Sequence, residues 1–348
     1  MTPRVLQVAY PFAPVALDAV GGAEAMLARL DAGLVGRGVA STVIACEGSS
    51  VLGRLRAVPA AAGVIDAAAC ARARDEHARA ISAALAEEDV DVVHLHGVDF
   101  AEYLPAADLP CVVTLHLPAD HYQALPARAG LTYVCVSEDQ RRRAGAVLAS
   151  APVIENGVPM PPPEEGVERA DFVLCLGRVC PEKGFHVALD AARAAGRPLV
   201  LAGRVFPYPD HQRYFESEIV PRLDGQRRFV GPVSGAEKRR LLASAACVAV
   251  PSFVHETSSL VAMEALAAGT PVVARPVGAL VEILEDGVTG LFARDAAELA
   301  RALRDVTALD AAICRARVGE RFDERRMIDA YSHLYIEVLR ARRERGAA

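Results

Sequence analysis

The chain has 348 residues, 52% apolar and 24% charged. That is enough for two domains at roughly 150 residues each and too apolar for a disordered chain. With 44 acidic and 38 basic side chains the formal charge is −6, which gives nucleic-acid phosphate no diffuse attraction and disfavours that partner class. No run approaches the ~18 apolar residues of a membrane span, and the N-terminus enters the strand-like VLQVAY without a secretory apolar segment. The expected location is therefore cytoplasmic.

Short β-branched or apolar runs alternate with Ala/Leu/Arg-rich helical patterns, the signature of parallel sheets wrapped by helices, so the expected class is α/β. In the first half, strands are predicted at 5–9, 41–45, 92–95, 111–115 and 132–136, with helices at 23–35, 71–86 and 138–148. Asn156-Gly157-Val158 leads into Pro159 and a Pro-rich stretch that suits neither ladder nor helix, which predicts a linker over 159–170. The alternation then restarts with strands at 172–176, 199–202, 228–230, 247–250 and 271–274 and helices at 185–195 and 258–268. A long amphipathic segment over 326–343 ends the chain. The expected organisation is a Rossmann-like domain over 1–158, a second over 171–322, a cleft between the two sheets' carboxyl ends, and closing helices over 323–348.

Eight scattered cysteines form no C-x-x-C pair and read as reduced core residues, with no metal site expected. The chemistry-bearing residues lie elsewhere. Gly21-Gly22 follows the first strand and opens the first helix, where bare amides favour an anion. It is not a G-x-G-x-x-G motif, so a dehydrogenase fits poorly. In the second half, Gly177-Arg178-Val179-Cys180-Pro181-Glu182-Lys183-Gly184 places two cations five residues apart between a strand end and a helix start, an arrangement suited to clamping a diphosphate without metal. Only two of the 38 basic residues are lysines, and Lys183 is one of them.

Glu256 and Glu264 bracket a helix start. Glu264 sits among Val, Met, Ala and Leu and needs a partner to offset desolvation, either a ribose diol or a salt bridge to an arginine. Glu256 is placed to take sugar hydroxyls, and the amides of Ser258, Ser259 and Leu260 to meet phosphate. His94 and His96 share a strand face without a third ligand nearby, which favours supporting roles over a metal. Asp89-Val-Asp91 reads as a solvated turn, His116 as a strand-end residue facing the cleft, and Arg141-Arg142-Arg143 as an exposed face with weak peripheral membrane contact as its alternative.

In order along nearly the whole chain, Gly21-Gly22-x-Glu24, Gly177-Arg178-x-x-x-Glu182-Lys183-Gly184, Glu256-x7-Glu264, Gly269-Thr270-Pro271-Val272-Val273 and Glu285-Asp286-Gly287-Val288-Thr289-Gly290 resemble the retaining glycosyltransferases of family four, with a GT-B fold. Leu201-Ala202-Gly203-Arg204 looks most like the subgroup around avilamycin-type antibiotic glycosyltransferases. The resemblance implies a nucleotide-sugar donor bound mainly by the C-terminal domain and a small-molecule, glycan or glycolipid acceptor on the N-terminal one, with no cofactor and no metal. It implies Arg178 and Lys183 on the diphosphate, Glu264 on the ribose, Glu256 on the donor sugar, Gly21 and Gly22 near the phosphate and His116 near the sugar. Where the family commonly has Pro-Phe-Gly, Thr257-Ser258-Ser259 stands here, and Ser259 adds a side chain where backbone normally approaches the donor. A nucleotide-sugar epimerase or hydrolase, or a non-catalytic nucleotide-sugar-binding protein, is the alternative reading.

Overall fold

The β-branched runs pair as parallel strands in two six-stranded sheets. The computed structural model describes residues 2–61, 63, 65–105, 109–162 and 167–347. Residues 163–166 of the expected linker lie outside them. The chain forms two units, one of residues 1–156 with 325–348 and one of 157–324, so the described part of 159–170 falls within the second.

In the first unit β1 (Arg4–Val8), β2 (Ala40–Cys46), β3 (Arg54–Val58), β4 (Val92–Leu95), β5 (Cys111–Leu115) and β6 (Leu131–Cys135) lie in the order β3-β2-β1-β4-β5-β6, every pair parallel. The helices α1 (Gly22–Gly36), α2 (Ala67–Glu87) and α3 (Glu138–Arg143) belong to this unit. The central strands β4 and β5 are buried at every residue, as strands covered on both faces must be.

The second unit repeats the pattern. Its strands β7 (Val173–Leu176), β8 (Leu199–Ala202), β9 (Arg227–Gly231), β10 (Cys247–Val250), β11 (Val272–Ala274) and β12 (Gly290–Phe292) are ordered β12-β11-β10-β7-β8-β9, again all parallel. Around them run α4 (Phe185–Ala195), α5 (Pro209–Tyr214), α6 (Gly235–Ser244), α7 (Leu260–Ala267), α8 (Leu280–Ile283), α9 (Ala296–Asp305) and α10 (Ala311–Phe322). Both sheets thus have the doubly wound order, with a reversal point between β1 and β4 and another between β7 and β10.

Four expectations are corrected. The sequence reading lacked β3, because its Arg-Leu-Arg core looks like surface loop; at the sheet edge Arg56 instead pairs with Glu87 and Glu88 at 2.7 and 2.5 Å. It also lacked β12, whose three residues are too short to show a period. The helix expected over 138–148 ends at Arg143, since Gly145 turns left-handed (φ +63) into a separate 3₁₀ turn. The helix expected over 258–268 starts at Leu260, because Ser259 is its N-cap and its hydroxyl accepts from the Ala262 amide.

The last helix, α11 (Glu324–Ala347), docks on the first unit through polar as well as apolar contacts. Tyr335 Oη lies 2.7 Å from His94 Nδ1, His94 Nε2 lies 2.8 Å from Thr114 Oγ1, and Thr114 Oγ1 lies 2.7 Å from Tyr331 Oη. All four residues are buried. Gly33 lets α1 approach, since a Cβ there would sit 2.2 Å from Ile328 Cδ1. Tyr335→Phe should strand the His94 Nδ1 and cost about 1–3 kcal/mol, read as a lower urea midpoint with unchanged m. No change in midpoint would contradict a functional hydrogen bond there.

Candidate functional site

Ligands of open parallel sheets bind where neighbouring strands send their following loops in opposite directions. In the second unit that point lies between β7 and β10, and the loops leaving them carry most of the predicted site. Gly177 (φ +144) and Gly203, at the ends of β7 and β8, are in backbone contact: a Cβ on Gly203 would meet Gly177 O at 1.8 Å. No other residue type fits there. The Val179 amide donates to Arg204 O at 2.9 Å, joining these two loops.

The loop after β7 is also tied to the loop after β10. The Phe253 amide donates to Glu182 O at 2.8 Å. Gly184 (φ +65) packs so closely that a Cβ would lie 2.6 Å from Pro251 O. These ties bring Lys183 Nζ to 2.6 Å from Glu256 Oε1, and the Ser252 hydroxyl donates to the same oxygen. The pair is largely withdrawn from water, at 23% and 10% side-chain exposure. The Glu256 backbone is held in turn by the Ala279 amide at 2.7 Å and by Gly278 (φ +57), whose added Cβ would meet Glu256 O at 2.3 Å.

Arg178 is exposed on the same loop; its carbonyl accepts from the Cys180 thiol at 3.6 Å, and its guanidinium has no hydrogen bond or ion pair among the described residues. Ser258, Ser259 and Leu260 lead into α7, so the helix's positive end sits on the strand-end loop that carries Glu256. Ser259 is 6% exposed, and its hydroxyl is spent on the cap. The extra side chain is thus turned into the helix. Glu264, in α7, pairs with Lys238 of α6 at 2.6 Å, so its salt-bridge partner is the chain's other lysine and not the arginine of the alternative reading.

The first unit places its candidates separately. Gly21 is the N-cap of α1, and the Glu24 side chain folds over it: a Cβ on Gly21 would lie 1.8 Å from Glu24 Oε2. A carboxylate already faces this helix end, so an incoming phosphate has to displace it. His116 follows β5, and its Nε2 lies 3.0 Å from His96 Nδ1 at the end of β4. One ring must donate and the other accept. Burial pushes both pKa values down, that of His116 to about 4, which keeps its imidazole neutral at pH 7. Asp89 is solvated as expected, at 85% side-chain exposure, though it meets Arg4 at 2.8 Å; Asp91 is not, being 17% exposed and held by Arg4 at 3.0 Å. Arg141, Arg142 and Arg143 each have an acid of their own helix within 4.0 Å.

Lys238, Ser252 and Gly278 were missed. Lys238 was visible only as the second of two lysines, and Gly278 only as the end of a Pro-Val-Gly turn signal.

Two family models match. "Glycosyltransferase Family 4" covers residues 20–160 and "Glycosyl transferases group 1" covers residues 170–308. The crystal structure of AviGT4, a glycosyltransferase involved in Avilamycin A biosynthesis, is 27% identical, with 97% of this chain and 98% of that one aligned at a TM-score of 0.72. Anabaena HepE in complex with UDP-glucose shares the fold at a TM-score of 0.73 and 21% identity, with 97% and 100% covered. A phosphatidyl-myo-inositol mannosyltransferase of Mycobacterium leprae is 32% identical over 250 residues, 63% of this chain and 64% of its own length. The chain spans less than two thirds of the length of the first curated relatives it matches. It has the GT-B fold of glycosyltransferases. The family 4 match falls almost wholly on the first unit and the group 1 match on the second.

Two outcomes follow from this geometry. A Gly278→Ala variant should displace Glu256 and cost about 1–3 kcal/mol through backbone strain, read by denaturation; an unchanged midpoint would contradict the close approach. For His96 and His116 the folded pKa lies below the unfolded value of about 6.5, so the unfolded state binds more protons in that window. Stability should be full above about pH 6.5 and fall towards about pH 4. The double variant His96→Gln/His116→Gln should show a shallower fall, and an unchanged slope would contradict the assignment.

Proposed function

We propose that this protein is a retaining hexosyltransferase that moves a sugar from a nucleotide diphosphate donor, preferably a UDP-hexose, to an acceptor hydroxyl. The observation that carries this reading is the Lys183–Glu256 pair at the β7/β10 reversal point, beside the leading end of α7. The AviGT4 likeness supports sugar transfer, and the UDP-glucose bound by HepE supports the donor class.

Donor binding is an exchange of partners. Lys183 leaves Glu256 for the diphosphate, joined by Arg178 and by the amides of Ser258, Ser259 and Leu260. Glu256 then accepts from sugar hydroxyls, and Glu264 trades Lys238 for the ribose diol. The leaving diphosphate gains charge as the glycosidic bond breaks, so fixed cations and amides aimed at it act mainly in the transition state. A departing phosphate oxygen accepts the proton of the acceptor hydroxyl, so the step needs neither a carboxylate nucleophile nor a metal. On the first unit, the neutral His116 imidazole suits hydrogen bonding to the transferred sugar rather than proton delivery. Gly21 and Gly22 take phosphate only with Glu24 displaced.

The acceptor belongs to the small-molecule, glycan or glycolipid class, the last in keeping with the named activity of the Mycobacterium leprae relative. Contact with a membrane surface would be weak, since arginines 141–143 are paired on their own helix. Within the described residues no helix is long and apolar enough to cross a membrane.

Replacing both Arg178 and Lys183 by Ala should weaken UDP binding by about 100-fold, ~2.7 kcal/mol, measured by calorimetry; unchanged affinity would contradict the site. In an acceptor screen, NMR of the product should show the donor's anomeric configuration kept. Inversion, or sugar release or isomerisation indifferent to every acceptor, would overturn sugar transfer with retention.

A further inference from the structure

The same region of the second unit holds a cluster that sugar transfer does not use. Cys180 and Glu182 flank Pro181 on the 3₁₀ turn after β7, and His211 lies on α5, after β8. Because β7 and β8 are neighbours and their following loops are joined through Val179 and Arg204, residues 31 apart in sequence meet. The Cys180 sulfur, a Glu182 carboxylate oxygen and a His211 ring nitrogen all lie within 4.8 Å of one another.

Three features distinguish this cluster from a chance meeting of polar groups. His211 Nδ1 is buried with no hydrogen-bond partner among the described residues, a state that destabilises the fold unless something binds there or close by. Its ring is held edge-on to Tyr208 and Phe206, with centroids at 5.1 and 6.4 Å, so the imidazole is oriented before any ligand arrives. Cys180 is 1% exposed with its thiol against the Glu182 carboxylate, while Glu182 itself is exposed and free to adjust.

We propose that Cys180, Glu182 and His211 bind a zinc ion. One thiolate, one imidazole and one carboxylate, with water in a fourth position, match the donor preferences of zinc and exclude magnesium or calcium, which take oxygen. Ligands at zinc distances of 2.0–2.3 Å in a tetrahedron stand roughly 3.3–3.8 Å apart, so the cluster needs only side-chain adjustment, which exposed Glu182 can supply. The charge balances as well: a dication with one thiolate and one carboxylate is neutral and does not repel the neighbouring Arg178. Binding replaces the thiol proton, which leaves to solvent. The ion bridges the turn that ends in Lys183 to the loop after β8 and takes no part in the transfer step. The site stands on the second unit alone and does not depend on the sugar-transfer reading.

The test uses the full chain, freed of any affinity tag and stripped of metal with a chelator. Cobalt(II) added to the wild type should give a thiolate-to-cobalt charge-transfer band with the intense visible bands of a four-coordinate site, saturating at one equivalent and bleached by zinc. Cys180→Ser should lose the charge-transfer band, and His211→Gln should bind zinc at least about tenfold more weakly in a chelator competition. Absence of the band in the wild type, or a band unaltered in Cys180→Ser, would overturn the proposal. If Cys180→Ser fails to fold, His211→Gln decides alone: weakened one-equivalent binding supports the site, and unchanged affinity overturns it.

Discussion

A carboxylate and an ammonium that are mostly withdrawn from water must each have a partner, and in this chain they have each other. Lys183 and Glu256, 73 residues apart in sequence, lie 2.6 Å apart on the loops that leave β7 and β10. Each charge offsets the other's desolvation. A ligand presenting a diphosphate and a polyol answers both charges at once, so the proposed site is one ion pair that a donor can take apart. The Lys238–Glu264 pair on α6 and α7 repeats the device where ribose is proposed to bind.

The backbone is what makes that pairing possible. The doubly wound order puts β7 beside β10, and glycines then allow the loops to approach to distances that side chains would forbid. Gly203 rests on Gly177, Gly184 on Pro251 and Gly278 on Glu256 itself. In the first unit the same order puts His96 next to His116, and α11 is pinned to the sheet by Tyr335 and Tyr331 through His94 and Thr114. Burial keeps these imidazoles neutral, which makes the region a hydrogen-bonding surface rather than an acid.

The central strands were legible because buried parallel strands read as plain apolar runs, and the Pro-rich stretch marked where the alternation restarts. Edge strand β3 was not, because its arginines are stabilised by Glu87 and Glu88 at the end of α2, a pairing that no local pattern shows. At the site, Arg178, Lys183, Glu256 and Glu264 stood out as charges at strand and helix ends. Their partners did not: Lys183 with Glu256, Lys238 with Glu264 and Cys180 with His211 are separated by 73, 26 and 31 positions and meet only through sheet order. The role of Ser259 was likewise hidden, since a hydroxyl that caps its own helix and one that reaches a ligand are the same residue in a sequence.

The exchange of partners at Lys183 is tested most directly by calorimetry of UDP against the wild type and Glu256→Gln. Neutralising Glu256 frees the ammonium and removes a like charge from the diphosphate, so UDP should bind more tightly, by roughly tenfold or about 1.4 kcal/mol, while UDP-hexose should lose part of its advantage over UDP. A Glu256→Gln protein that binds UDP no better than the wild type would contradict the exchange, and with it the donor site built around this pair.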